Sequence, residues 1–233
     1  MKLQPALIFG QNMILQRGIP IPVWGRSVRD DTVTVVLNGY TLHTQAKRGE
    51  WRVTFQPMEA VEDTSMTIAS AATGERIEFG GVAIGEVWIA GGQSNMEFPV
   101  ARDPNVKWKT GILNETEEMK DADYPSIRLF HVEHQLAPEG EKEDCIGRWL
   151  VCTPENVKEF SAVGFIFGRK LYKELQMPVG LIQSTWGGTH AESWTERRVM
   201  KDNPLYADVM EEFAPQNVKR EKDKCKVPAT LWN

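Results

Sequence analysis

The chain has 233 residues, of which 41% are hydrophobic, and a formal net charge of −5, which is enough for one large domain or two small ones. Its lysines and arginines are interspersed with acidic residues and form no basic stripe, so neither nucleic acid nor an acidic membrane surface is expected as a partner. No apolar run approaches the roughly 18 residues that a membrane-spanning helix needs.

The amino-terminal segment, residues 1–5, has no apolar core of the length that a secretory signal requires. As written, the sequence therefore predicts a cytoplasmic protein. A mature form of an exported protein, recloned with a new methionine, would look the same, so a secreted or periplasmic protein is the alternative.

Residues 1–82 have the pattern of a small β-sandwich domain. The apolar-polar run over residues 32–37 leads into Asn38-Gly39, a strong hairpin signal. Residues 51–55 alternate between apolar and polar side chains, as in a half-buried strand. Further short strands are predicted to end near Val23 and to lie on either side of Thr73-Gly74. Short strands at this spacing are typical of a sandwich.

From residue 83 the pattern changes to that of an α/β domain, predicted over residues 83–233. Apolar runs over residues 86–90, 127–132 and 179–183 lack alternation, which predicts strands buried on both faces of a parallel sheet. Between the last two runs, apolar residues recur every three or four positions and predict a helix with one buried face. They are Val157, Phe160, Val163, Phe167, Leu171 and Leu175. Residues 104–120 and 195–213 are also predicted to be helical.

Three parallel strands are few for an open α/β sheet, because such sheets must cover both faces and protect their edges. The last residues of the chain include the apolar Leu231 and Trp232, whereas natural termini are usually polar. We therefore expect residues 83–233 to form only part of an α/β domain.

The three cysteines give little indication of function. Cys145, Cys152 and Cys225 form no CxxC pair, so neither a zinc site nor a disulfide scaffold is indicated. A bridge between Cys145 and Cys152 is possible, but free thiols are the interpretation we favour.

The first predicted parallel strand runs directly into Gly91-Gly92-Gln93-Ser94-Asn95-Met96. A serine there lies at the carboxyl edge of the sheet, where α/β enzymes place their sites. The glycines permit a sharp turn, and the Ser94 amide can point at an oxyanion. Met96 replaces the second glycine of GxSxG, which disfavours the α/β-hydrolase fold. A plain glycine-serine turn after a strand is the alternative interpretation.

A second glycine turn, Gly187-Gly188, follows the third predicted strand. Because the carboxyl ends of parallel strands share one edge, the two turns are predicted to meet at one crevice. The Gly188 amide is then a candidate oxyanion donor. The alternative is an ordinary left-handed turn, which glycine commonly forms.

Several side chains near these turns are candidates for supporting or substrate-lining roles. They are Gln93, Asn95, Thr189, Glu192 and Trp194. His190 lies in the second turn and could act as general base if its ring reaches Ser94. A substrate contact or a solvent-facing position is the interpretation we favour for it. His131 and His134 follow the second predicted strand and are interpreted as polar loop residues.

Two segments, GEVWIAGGQSNMEFPV (85–100) and VGLIQSTWGGTHAESW (179–194), resemble the N-terminal signature blocks of the sialate O-acetylesterase family, within the SGNH hydrolases. The segment NMILQRGIPIPVWG (12–25) resembles the family's leading β-domain. The resemblance implies a three-layer α/β SGNH domain and hydrolysis of acetyl esters on sugars or glycans. It also implies that Ser94 is the nucleophile and that Gly188 is the second-block glycine, and it implies neither a metal nor a cofactor.

The resemblance further implies two blocks that we do not find after Gly188. One is a QGES-like turn that supplies an oxyanion donor, and the other is an Asp-x-x-His-like pair that supplies the base and its orienting acid. We therefore expect the chain to lack the catalytic His/Asp block and to be a very poor esterase alone. An acetylxylan esterase of the same superfamily and a non-catalytic carbohydrate-binding fragment remain as alternatives. The sequence leaves open the sugar, the acetyl position and the oligomeric state.

Overall fold

The computed structural model describes residues 2–107, 109–136 and 142–212. The amino-terminal part consists of strands. They are β1 (Gln4–Pro5), β2 (Ile14–Gln16), β3 (Ile21–Arg26), β4 (Thr32–Leu37), β5 (Tyr40–Gln45), β6 (Glu50–Phe55), β7 (Val61–Ser70) and β8 (Arg76–Gly92).

The remaining elements mix helices with strands. They are α1 (Ser94–Glu97), α2 (Glu115–Lys120), β9 (Tyr124–His131), β10 (Trp149–Cys152), α3 (Ala162–Leu175), β11 (Val179–Thr185), α4 (Arg197–Lys201) and α5 (Ala207–Glu212), with short 3₁₀ turns at Ala191–Trp194 and Pro204–Tyr206. The three parallel strands predicted from apolar runs are observed as β8, β9 and β11.

Two sheets enclose the amino-terminal core. A three-stranded sheet has the order β1-β3-β6, and an eight-stranded sheet has the order β10-β9-β11-β8-β7-β4-β5, with β2 paired to β8. Alternate residues of β4 and β6 are buried and meet in one apolar cluster, as a sandwich requires. The predicted hairpin at Asn38-Gly39 is confirmed, since both residues have positive φ, at 48° and 80°.

Strand β8 belongs to both halves of the large sheet. Its first part pairs antiparallel with β7 as far as Ile84, and residues 86–92 pair in parallel with β11. The predicted boundary between residues 82 and 83 therefore falls inside a continuous strand, and the division into two domains stays a prediction.

The helix α3 covers one side of the parallel strands. It begins at Ala162, later than the periodicity predicted, because Ser161 caps it by accepting the Gly164 N–H at 3.0 Å. Its buried residues include Phe165 and Gly168, whereas Val163 and Phe167 are 51% and 42% exposed. The prediction that Val163 and Phe167 face the core was therefore wrong in this structure.

Several other predictions can be compared with the structure. Among the described residues of the stretch 104–120, only 115–120 are α-helical, and the described part of the stretch 195–213 is divided into short helical pieces. Cys145 and Cys152 are free thiols, as we favoured, and Cys225 lies outside the described residues. No helix within the described ranges has the length and apolar character needed to cross a membrane.

Candidate active site

The two glycine turns lie at one edge of the sheet. Strands β8 and β11 are adjacent and parallel, with Ser184 opposite Gly91 and Thr185 opposite Gly92. The contact continues past the strands, since the Trp186 N–H donates to the Gly92 carbonyl at 3.0 Å. The two turns therefore meet at one edge of the sheet, as the sequence predicts.

Ser94 is the first residue of the short helix α1 and is half-buried. Gly92 before it has φ 141°, in the region that favours glycine, which allows the chain to turn sharply out of β8. The serine hydroxyl is thereby held at the end of the strand. Among the residues that the structure describes, Gln93 alone forms a hydrogen bond with that hydroxyl.

Three donors from the two turns point at one oxygen atom. Gln93 Oε1 lies 3.4 Å from the Ser94 main-chain nitrogen, 3.4 Å from the Gly188 main-chain nitrogen and 3.1 Å from Ser94 Oγ. The side-chain oxygen of Gln93 therefore stands where an oxyanion that accepts the same N–H groups would lie. The two main-chain donors are the ones that the sequence pattern predicts, and their catalytic role stays a prediction.

Gly187 lets the second turn approach the first. A β-carbon added to Gly187 would lie 2.8 Å from Glu97 Oε2, which is closer than side chains normally pack, and would contact Ser94 Cα at 3.4 Å. Gly188 needs glycine for a different reason, because its φ is 80°. Gly187 is thus required by the lack of space for a side chain, and Gly188 by its backbone conformation.

Glu97 joins the two turns, and the sequence pattern did not identify it. The Glu97 side chain is 9% exposed and accepts the Gly187 N–H through Oε2. Its other oxygen lies 3.7 Å from His134 Nε2. The Gly187 amide is therefore occupied, which leaves the Gly188 amide as the donor of this turn that faces the serine.

His134 packs behind the second turn. Its ring is stacked on Trp186, with centroids 4.2 Å apart and an interplanar angle of 9°, and its Nε2 lies 2.6 Å from the Thr185 carbonyl oxygen. It was interpreted from sequence as a polar loop residue. In the sequence, the indication that His134 lies near the site is its position just after β9, at the same edge of the sheet.

The other predicted residues divide into two groups. Thr189 donates to the Trp186 carbonyl at 2.7 Å and accepts the Trp194 indole N–H at 2.9 Å, so both brace the turn. Asn95 is exposed beside Ser94, and Glu192 is half-buried in the 3₁₀ turn. His190 is exposed, and among the described residues no hydrogen bond joins its ring to Ser94, so its role as base stays a prediction without support.

Two concave regions of the surface can be compared with the predicted site. A shallow depression of about 250 Å³ beside the serine is lined by Gln93, Asn95, Met96 and Val163. A larger cleft of about 770 Å³ lies on the amino-terminal region, against Trp24 and Trp51, and contains none of the predicted catalytic residues. Neither region is lined by Ser94 or Gly188, but the smaller one contains both sequence neighbours of Ser94, which are Gln93 and Asn95. We therefore place the candidate active site at Ser94, beside the smaller depression.

Comparison with known proteins agrees with the resemblance to the sialate O-acetylesterase family. The family model described as "Carbohydrate esterase, sialic acid-specific acetylesterase" matches residues 84–233. The sialate O-acetylesterase of Homo sapiens is 33% identical over 217 residues, which cover 84% of this chain and 39% of that protein. The sialate O-acetylesterase of Rattus norvegicus is 32% identical over 206 residues, which cover 77% of this chain and 34% of that protein.

A solved structure extends the comparison to the fold. The crystal structure of a carbohydrate acetylesterase from Xanthomonas citri matches with a TM-score of 0.76 and 29% identity, over 87% of this chain and 44% of that one. This similarity confirms the predicted α/β fold of the SGNH type. The chain thus spans between a third and two fifths of the length of these two curated relatives.

Proposed function

The chain belongs to the carbohydrate esterase family of sialic acid-specific acetylesterases, and from this premise we propose that it is the nucleophile-bearing part of a carbohydrate O-acetylesterase. Its substrate class is a sugar or glycan that carries an acetyl ester. The relatives described above are sialate O-acetylesterases and a carbohydrate acetylesterase, which supports an acetylated sugar or glycan as the substrate class.

One observation carries the proposal, namely the convergence of the Ser94 and Gly188 amides on Gln93 Oε1. In the reaction, Ser94 Oγ bonds to the acetyl carbon, and the carbonyl oxygen takes the place of Gln93 Oε1 as it becomes negatively charged. The sugar oxygen leaves with a proton, and the acetyl group stays on Ser94. Water then attacks the acyl-enzyme and releases acetate.

The Ser94 hydroxyl proton must pass to a base. No imidazole or carboxylate of the described residues forms a hydrogen bond with that hydroxyl. The proposal therefore assigns the base, and a third oxyanion donor, to parts of a full-length esterase that lie outside the matched segment. On this account the 233-residue chain alone is a very poor esterase.

Glu97 supports the proposal by holding the oxyanion donors in place. Through the Gly187 N–H it fixes the second turn relative to α1, which carries the nucleophile. Oxyanion donors that are positioned before the reaction need no rearrangement as charge develops. The buried Glu97 carboxylate thus holds the oxyanion donors of the two turns in position before the reaction.

The test compares Ser94→Ala in two forms of the protein. The extended chain consists of residues 1–233 followed by the part of the Xanthomonas citri carbohydrate acetylesterase that comes after its matched stretch. In the extended chain, Ser94→Ala should lower acetate release from p-nitrophenyl acetate by about 10⁴- to 10⁶-fold. In residues 1–233 alone, the same change should have little effect, because nucleophile and base act as a unit.

Two outcomes would contradict the proposal in different ways. If Ser94→Ala leaves acetate release by a folded extended chain unchanged, Ser94 is not the nucleophile. If residues 1–233 alone show fast, Ser94-dependent turnover, the chain already contains its base, and His190→Ala becomes the next variant to assay. A panel of acetylated sialic acid, acetylated xylan and short lipid esters then defines the substrate.

A further inference from the structure

The larger cleft, on the amino-terminal region, lies along the small sheet β1-β3-β6. Its volume is about 770 Å³, and neither Ser94 nor Gly188 lines it. Its lining comes from β1, β3, β5 and β6 and from the segment before β10, and it includes Trp24, Arg26, Gln45, Glu50, Arg52 and Glu143. A concave region of this size, with an aromatic side chain and several polar ones, has the character of a small-molecule site.

Two strands bring an aromatic ring and a guanidinium together in this cleft. In the antiparallel pair of β3 and β6, Trp24 lies opposite Arg52, whereas the adjacent Val23 and Val53 are buried in the core of the sandwich. Trp24 is 38% exposed, and the Arg52 guanidinium carbon lies 5.8 Å from the centroid of its ring. An exposed indole offers a ligand both apolar surface and an N–H donor. The Trp24–Arg52 pair is therefore available to a ligand in the cleft.

The acidic side chains of the cleft already have partners, whereas Arg52 does not. Glu143 forms an ion pair with Arg26, and Glu50 Oε1 lies 3.9 Å from the same guanidinium. Asp144 accepts a main-chain N–H at 2.9 Å. Within the described ranges, the Arg52 side chain forms no ion pair and no hydrogen bond. Its planar set of donors is therefore free, and such a set binds a carboxylate through two hydrogen bonds.

The balance of charge in the lining limits the ligand further. Basic and acidic side chains are equal in number, with three of each. They are Arg26, Lys47 and Arg52, and Glu50, Glu143 and Asp144. A lining without net charge disfavours a polyanion such as a nucleic acid. It does suit hydroxyl groups, because a hydroxyl both donates and accepts hydrogen bonds and the lining offers both kinds of partner.

We propose that this cleft binds an acidic saccharide, a sugar that carries one carboxylate besides its hydroxyl groups. The carboxylate binds the Arg52 guanidinium, the apolar side of the sugar ring packs against the exposed part of Trp24, and the hydroxyl groups bind polar side chains of the lining. A neutral sugar would leave the guanidinium unused, and a simple carboxylate would leave Trp24 uncovered. The inference goes beyond the proposed function and does not rest on it, because Ser94 takes no part in this site.

Probes that differ by one chemical group test each part of this recognition. D-Glucuronate and D-galacturonate carry a carboxylate on a sugar ring, D-glucose and D-galactose carry the ring alone, and acetate carries the carboxylate alone. Each is titrated into ¹⁵N-labelled residues 1–233, and ¹H–¹⁵N spectra follow the Trp24 indole N–H. We expect at least one acidic sugar to shift this resonance and to bind about tenfold or more tightly than its neutral counterpart and than acetate, since only the acidic sugar makes both contacts.

A matched pair of arginine variants assigns the binding to the cleft. Arg52→Ala should weaken binding of the acidic sugar by about tenfold or more, because the two hydrogen bonds to the carboxylate are lost. Arg29→Ala removes the same charge outside the cleft, where Arg29 lies beside Asp30, and should leave the affinity within about twofold. Arg52→Lys keeps the charge without the planar set of donors, so its loss should be intermediate.

Several results would overturn the inference. They are a Trp24 resonance that no acidic sugar shifts up to about 50 mM, equal affinities for an acidic sugar and either its neutral counterpart or acetate, and equal losses in Arg52→Ala and Arg29→Ala. Sugar-induced shifts at Ser94 and Gly188 without a shift at Trp24 would place the sugar at the candidate active site, which overturns this inference and leaves the proposed function intact. Conversely, binding at Trp24 that depends on Arg52 supports the inference even if Ser94 proves not to be the nucleophile.

Discussion

Glu97 illustrates how one buried side chain organises the candidate site. It accepts the Gly187 N–H and lies beside His134, so it connects α1 to the second glycine turn and to the chain that follows β9. The sequence pattern identified Ser94 and Gly188, because each lies in a glycine-containing turn that follows an apolar run. It did not identify Glu97 or His134, because their contacts depend on strands that are far apart in sequence and adjacent in the sheet.

At the residue scale, we predict that Glu97→Ala destabilises the protein by roughly 1–3 kcal/mol, the usual cost of leaving a buried donor without its acceptor. Glu97→Gln keeps an acceptor for the Gly187 N–H and should retain most of the stability. Urea unfolding at neutral pH gives both values. Equal losses for the two variants would show that the hydrogen bond to Gly187 contributes little.

The helix α3 lies close to β11, and glycine makes this approach possible. A β-carbon added to Gly168 would lie 2.4 Å from Leu181 Cδ1, and Leu181 is only 1% exposed. The apolar periodicity correctly predicted a helix in this region but not its boundaries or its buried face. Val157 and Phe160 are buried in the turn before the helix, while Val163 and Phe167 within it are exposed.

At the element scale, Gly168→Ala should destabilise the protein by about 1–3 kcal/mol, because the added methyl group overpacks the contact with Leu181. This loss should exceed the gain in helix propensity of roughly 1 kcal/mol. Thermal unfolding should show a lower Tm for Gly168→Ala and no loss for Gly10→Ala, where an added β-carbon meets nothing within 4 Å. An unchanged Tm for Gly168→Ala would mean that the helix shifts freely on the sheet.

Asp31 ties together three segments of the amino-terminal sandwich. It is 1% exposed and accepts hydrogen bonds from Ser27, from Ser70 at 2.6 Å and from the Ala72 N–H at 2.9 Å. Burial alone would raise the pKa of Asp31, but these hydrogen bonds together hold that pKa below its usual value. They join the turn before β4 to the end of β7 and to the turn that follows it.

This pKa shift predicts how stability depends on pH. Because the folded pKa of Asp31 is lowered, its contribution is present above the unfolded value of about 3.9 and is lost as pH falls through the folded value. Asp31→Asn should therefore unfold more easily at pH 7, by roughly 1–3 kcal/mol. Its deficit should shrink below about pH 4. A deficit that is constant from pH 7 to pH 3, measured by urea unfolding, would contradict this assignment.

At the scale of the whole molecule, β8 connects the sandwich to the parallel sheet and carries the nucleophile at its end. The sequence predicted both kinds of sheet, because alternation and continuous apolar runs are local signals. It missed the short strand β10, whose four residues carry too little pattern, and it could not show that one 17-residue strand belongs to both halves of the large sheet. Such continuity depends on which strands pair, and pairing is not a local property.

The central claim is that the Ser94 and Gly188 amides together bind an acyl oxygen. Acetate, the product of the proposed reaction, presents such an oxygen, and its binding needs no base. A titration of ¹⁵N-labelled residues 1–233 with acetate, followed by ¹H–¹⁵N spectra, tests the claim directly. We predict that the Ser94 and Gly188 amide resonances shift along one saturation curve, together with the Gln93 side-chain amide, while Gly187 stays nearly unchanged. Resonances of Ser94 and Gly188 that do not move, or that saturate at different acetate concentrations, would contradict the claim.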